Sequence, residues 1–177
     1  MIHTENIISS WQGAFIYPWE QYFEHIQQKN ESPSINKFIN FSFTRANVFP
    51  DKCCSNKYYV EFELFNIPFL LSIMIPNKNN LNSKFENQIN NLKYDRFIDI
   101  SDKNQTKVEL YLKAIIYIGK QHFVVYLFDK DNNIWFHDGL SNNGQCILRG
   151  QYDVHVANSL SKYQDKYACS VIYAKNL

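Results

Sequence analysis

Proline and glycine are scarce in this chain, five of each in 177 residues. That excludes collagen-like sequences and long flexible linkers. No apolar run approaches the ~18 residues that mark a membrane-spanning helix, so no membrane association is expected. Charge of one sign is also missing. The 18 Lys and Arg balance 17 Asp and Glu. The chain therefore lacks the electrostatic footprint of a nucleic-acid binder or a ligand of anionic membranes. No CxxC pair occurs. The four cysteines, Cys53, Cys54, Cys146 and Cys169, do not space out a zinc site. Four thiols without a disulfide framework suit a reducing compartment, and an intracellular protein, cytoplasmic or nuclear, is expected. The start, Met1-Ile2-His3-Thr4-Glu5, has no basic n-region, so a signal peptide is not expected. No cofactor and no metal site is expected.

What the chain has in abundance is aromatic residues, 16% of the total, with twelve Tyr and fourteen Phe. That is far too many for a disordered tail. The length suits one domain, residues 1–177, large enough to bury a real core. Asparagine clusters at Asn77–Asn80, Asn90-Asn91, Asn132-Asn133 and Asn142-Asn143 read as loops and solvated surface.

Residues 18–29 read as a helix. Pro18 suits its first turn, and Trp19, Tyr22, Phe23 and Ile26 form one apolar stripe. Residues 30–36 read as a loop. Phe41 and Phe43 alternate with Ser42 and Thr44, which predicts a strand, as do Tyr58 to Leu64. The apolar stretch Phe69 to Ile75, between Pro68 and Pro76, predicts a strand buried on both faces. Residues 77–93 read as polar with one helical turn near Phe85 and Ile89, and residues 94–100 as a short extended piece. Trp11 and Trp19 are assigned to the core.

The second half speaks more clearly. Val108 to Ile118, His122 to Phe128 and Ile134 to His137 are strand-like, joined by Gly119-Lys120-Gln121 and by Asp129 to Asn133. Short polar joins predict an antiparallel meander. A short helix is expected near 155–163, and Tyr167 to Tyr173 closes the chain as another strand. The fold class is therefore α+β, mainly an antiparallel sheet with few peripheral helices.

The candidate chemistry lies at His122 and Asp138. Opposed residues of an antiparallel hairpin have a constant index sum and face the same way. His122 and Asp138 add to 260 and face each other if the connecting loop is centred on Lys130. A carboxylate beside an imidazole can hold one tautomer and stabilise the cation. The bland alternative is a surface pair without a task, and spacing alone favours it. His137 alternates to the other face. His3, His25 and His155 read as surface residues, and Lys103 to Lys107 as a solvated turn.

These same residues carry a resemblance. Leu112 to Gly119, then Gln121-His122-Phe123, then Trp135-Phe136-His137-Asp138-Gly139 resemble the C-terminal catalytic box of ubiquitin-specific proteases. Ile67 to Ile73, Phe97 to Ser101 and Tyr167 to Tyr173 are similar to further strands of that family. The resemblance spans roughly residues 50–175 in the family's order. It implies a papain-like fold and cysteine-dependent hydrolysis of ubiquitin isopeptide bonds. His122 would be the general base, Asp138 its orienter, and ubiquitin or a ubiquitin-like protein the partner. The chain departs from the pattern in three places. Gln121 stands where the family has Gly, Phe123 where it has Tyr, and Asp138 follows Trp135 one residue early. The family's N-terminal box, with the nucleophilic Cys and an oxyanion-hole Asn, is missing. Cys53 and Cys54 precede a strand rather than a helix. Cys146 lies in a loop, and Cys169 in an apolar strand where an inert thiol is the default. The order His, Asp, Cys also resembles SUMO proteases with Cys169 as nucleophile. However, the 31 positions from Asp138 to Cys169 are short for that family, and its Asp-Cys-Gly is missing. Three readings follow: a partial domain whose Cys box lies elsewhere, an inactive ubiquitin-binding module, or an enzyme with an unusual nucleophile.

Overall fold

The computed structural model describes residues 19–44, 47–50, 57–60, 67–76, 81–102, 104 and 106–176. Trp11, His3, Cys53, Cys54, residues 61–64 of the expected second strand and Lys103 lie outside the described residues.

Two helices come first. Helix α1, Trp19–Lys29, buries the predicted stripe Trp19, Tyr22, Phe23 and Ile26. Helix α2, Ile35–Thr44, replaces the expected loop at 35–36 and the expected strand at Phe41 and Phe43. Its buried positions, Ile35, Phe38, Ile39, Phe41 and Ser42, follow helical spacing. Its N-terminus is closed twice. Ser34 Oγ accepts from Lys37 N at 3.2 Å, and Asp95 Oδ2 accepts from Asn36 N at 2.9 Å. The alternation of Phe41 and Phe43 was local, whereas the cap and the longer apolar stripe select the helix.

Strands β1, Asn47–Pro50, and β2, Lys57–Val60, form an antiparallel pair. The main sheet contains β3 (Leu70–Met74), β5 (Lys107–Gly119), β6 (His122–Phe128), β7 (Asn133–His137), β8 (Ile147–Gln151) and β10 (Lys166–Ala174). Their spatial order is β3-β10-β5-β6-β7-β8. Strand β4, Phe97–Ser101, pairs with the first half of β5, and β9, Lys162–Tyr163, pairs with β10. All of these pairings are antiparallel. Short helices α3, Glu86–Asn90, and α4, Val154–Ala157, lie in the connections. The helix expected over 155–163 thus ends early, because Lys162 and Tyr163 extend to pair with β10.

One face of the sheet and the two first helices form a single core. Leu71, Ile73, Leu112, Ile115, Tyr117, Val124, Phe136, Val171 and Tyr173 join Trp19, Tyr22, Phe23 and Phe38 in one apolar cluster. In β5 the buried parity shifts from Leu110 and Leu112 to Ile115 and Tyr117. The register shift opposite Ile172 and Tyr173 leaves Lys113 unpaired and restores both halves to the same face. The opposite face carries the exposed Leu70, Met74, Phe97, Phe123 and Leu148. Strand β3 is accordingly not buried on both faces. It is an edge strand in which Leu71 and Ile73 point inward and Leu70 and Met74 outward.

Candidate functional site: a histidine–aspartate pair

Strand β5 turns into β6 through Lys120 and Gln121, whose φ angles are 48° and 62°. Two consecutive positive φ values are the mark of a type I′ turn, whose twist suits a two-residue hairpin loop. Gly119 and His122 are the last pair of that ladder. Gly119 is needed for close approach. A Cβ there would stand 3.0 Å from the Asp165 carbonyl oxygen and 3.1 Å from Lys166 Cα. His122 therefore begins β6 at a tightly fixed point, with its even-numbered neighbour Val124 buried.

Gln121 occupies a left-handed position that costs a side-chain-bearing residue roughly 1 kcal/mol. This is also the position where the resemblance places Gly. Gln121→Gly should raise stability by about 0.5–1 kcal/mol, part of the relief being offset by glycine's greater unfolded entropy. A thermal melt of the two proteins checks this, and an unchanged or lower midpoint contradicts it.

The β6–β7 pairs Val125↔His137, Tyr126↔Phe136, Leu127↔Trp135 and Phe128↔Ile134 each add to 262. The loop is centred on Asp131, not on Lys130 as expected. The physical reason is Asn132. Its φ of 65° closes a turn in which Asn132 N donates to Asp129 O at 3.3 Å, and Asp129 N donates to Asn133 O at 3.2 Å. Such a turn, with a left-handed third residue, is a common three-residue hairpin loop. The register differs by two, so parity is kept. Asp138, one residue past β7, lies diagonally from His122 on the same face.

The two side chains meet. His122 Nε2 and Asp138 Oδ1 are 2.9 Å apart. The side chains are 28% and 17% exposed, so the pair is screened but open to solvent. Asp138 Oδ1 also accepts from the backbone N–H of Leu140 at 2.9 Å. That bond, with smaller help from His122 and Ser141, holds the Asp138 carboxyl below the usual carboxylate range. An ionised Asp138 is an acceptor only. Nε2 therefore carries the proton it donates, and Nδ1 is left as the basic nitrogen.

The thiols do not join this pair. Cys146 Sγ lies 3.9 Å from His137 Nδ1. Cys169 Sγ donates to Ile116 O at 3.4 Å, and burial pushes its thiol pKa up, the opposite of nucleophile activation. Cys53 and Cys54 lie outside the described residues. Among the described residues no cluster of three or more metal-ligating side chains occurs. A cavity of about 710 Å³, walled by Glu31, Ser34, Asn87, Gln88, Asp95 and Asn158 among others, includes neither His122 nor Asp138.

Sequence reading overlooked the groups that brace the hairpin. Asp129 and Arg96 were not singled out, although an Asp four residues before an Asn and six before a Trp is a legible turn signal. Asp129 Oδ1 accepts from Asp131 N and Asn133 N, and Oδ2 from Asn133 Nδ2 and Trp135 Nε1, all at 2.9 Å. These four bonds, Trp135 the strongest, hold its pKa at about 2. Arg96 donates to Asp129 O at 2.6 Å, to Asn132 Oδ1 at 2.7 Å and to Leu112 O.

No helix among the described residues is long and apolar enough to cross a membrane. No protein-family model matches the chain, and no curated protein matches it. Among solved structures, the chain bears a distant likeness to the SAGA Ubp8/Sgf11/Sus1/Sgf73 DUB module bound to ubiquitin aldehyde. The identity is 8% and the TM-score 0.46, over 84% of this chain and 34% of that one, so the chain spans about a third of its length.

Proposed function

We propose that residues 1–177 form a module of ubiquitin-specific-protease type, papain-like in architecture and intracellular, that receives the C-terminal tail of ubiquitin or a ubiquitin-like protein. His122 is the general base and Asp138 its orienter. The observation that carries the reading is the 2.9 Å contact between His122 Nε2 and Asp138 Oδ1 at a partly open hairpin end. The order of the motifs from Ile67 to Tyr173 supports the same family. A base with Nδ1 free is what a thiol nucleophile requires: it takes the thiol proton and returns it to the leaving amine. Neither Cys146 nor Cys169 hydrogen-bonds His122. The chain by itself is a recognition module with two of the three members of a triad, and it does not turn over. In subtilisin, loss of the nucleophile alone costs on the order of 10⁶ in kcat.

The test uses the full chain. Binding to ¹⁵N-labelled ubiquitin should shift resonances of the ubiquitin tail, and His122→Ala should weaken those shifts. An electrophilic ubiquitin probe should label neither Cys146 nor Cys169, and no fluorophore should leave the ubiquitin C-terminus. Absence of binding to ubiquitin and to ubiquitin-like proteins at ~1 mM, a free energy of only about −4 kcal/mol, overturns the reading. Robust turnover lost on changing Cys53 or Cys54 to Ser overturns the inactive reading and names the nucleophile.

A further inference from the structure

The β6–β7 hairpin is apolar on both faces. Every residue from Phe123 to Phe128 is apolar, as are Ile134, Trp135 and Phe136. When both faces are apolar, burial discriminates weakly between registers, and the turn must decide. A competing turn is written in the sequence. Asp131-Asn132 could serve as the central pair of a two-residue loop, with Lys130 opposite Asn133. The pairs would then add to 263 instead of the observed 262. That single step places Asp138 opposite Val125, on the outer face, away from His122.

Asp129 opposes the slip. Its carboxylate gathers the N–H groups of Asp131 and Asn133 with the side-chain donors of Asn133 and Trp135. These four bonds form in the three-residue turn that Asn132 closes, and a one-residue slip, which carries Trp135 to the other face, breaks at least the bond from its indole. Arg96, donating to Asp129 O and Asn132 Oδ1, ties that turn to β5 through Leu112 O. We propose that Asp129 is a positioning residue for the His122–Asp138 pair, acting from the opposite end of the hairpin by holding the register that keeps both side chains on one face. The lever is long: seven strand residues at ~3.3 Å place the turn roughly 20 Å from His122. The inference rests on reading the pair as a general base and its orienter, but its test does not require turnover.

The experiment reads imidazole ¹⁵N chemical shifts of His122 by NMR in the full chain, with His122→Gln to assign the signal. The wild type should show a hydrogen-bonded Nε2–H tautomer. Asp138→Ala should abolish that signature, and Asp129→Ala should abolish it in most molecules. Asn132→Val, which opposes the left-handed turn but leaves the Asp129 carboxylate in place, should do the same and covers the case in which Asp129→Ala fails to fold. Asp129→Asn keeps an acceptor for the two backbone donors and should retain the signal, as should Asn132→Gly. A lowered melting temperature with an unchanged His122 signature in Asp129→Ala and Asn132→Val makes Asp129 merely structural and overturns the proposal. An unchanged signature in Asp138→Ala removes the pair and the proposal with it. Ubiquitin binding that is indifferent to His122→Ala overturns the functional reading alone and leaves the register claim standing.

Discussion

Arg96→Ala should lower the stability of the protein by roughly 3 kcal/mol, and Arg96→Lys should recover little of it. The guanidinium sits where three acceptors converge: Leu112 O on β5, Asp129 O at the end of β6 and Asn132 Oδ1 in the β6–β7 loop. Hydrogen bonds from a charged donor contribute about 1.5–3 kcal/mol each. The lower figure applies here, because the group is only part-buried, and the bond to Asn132 is exposed, so two bonds dominate. Burial lowers the Arg96 pKa, yet an arginine remains charged at any working pH. Lysine has the charge without the planar fork, so it cannot reach three acceptors in one plane. For a chain of this size ~3 kcal/mol corresponds to a midpoint lower by roughly 6–12 °C. Urea titration should show a lower midpoint with an unchanged slope. A loss under 1 kcal/mol, or full recovery in Arg96→Lys, contradicts this account.

Arg96 also shows where sequence reading stops. The meander β5–β6–β7 was legible because its strands are β-rich and its joins short and polar. The shared face of His122 and Asp138 was legible for the same reason, since parity survives a shift of two. The centre of the loop was not, because it depends on Asn132 entering the left-handed region, one of several choices open to Asp-Lys-Asp-Asn-Asn. The bracing by Arg96 was invisible: residues 36 positions apart in sequence meet only after β4 and β5 have paired. Strand β3 was misjudged because Leu70 to Met74 are apolar apart from Ser72, and an edge position leaves no trace in such a run. The pairing of Cys146 with His137 was equally out of reach, as it joins a loop to the outer face of β7.

The misread segment yields the other large effect. Phe38→Ala should cost about 3–5 kcal/mol, the usual range for deleting a fully buried aromatic ring. Phe38 has no exposed surface. Its ring stacks on Trp19 at 3.6 Å between centroids and 3° between planes, and meets Tyr22 edge-on at 5.4 Å. Trp19 is itself anchored, its Nε1 donating to Met74 O of β3 at 3.1 Å. Tyr22 OH donates to Ser34 O and accepts from Ser34 N, the residue that caps α2. Removing Phe38 therefore empties the seam between α1 and α2 and frees the indole that ties both to the sheet edge. Phe43, only partly buried near the end of α2, should cost distinctly less when changed to Ala. The contrast separates the helix from the strand that alternation suggested. In a strand, Phe41 and Phe43 would share one buried face and lose stability equally. In the helix, Phe38 and Phe41, three apart, form the costly pair and Phe43 does not. Urea midpoints of the three alanine variants decide it, and equal losses at Phe41 and Phe43 with a small loss at Phe38 would overturn the helix.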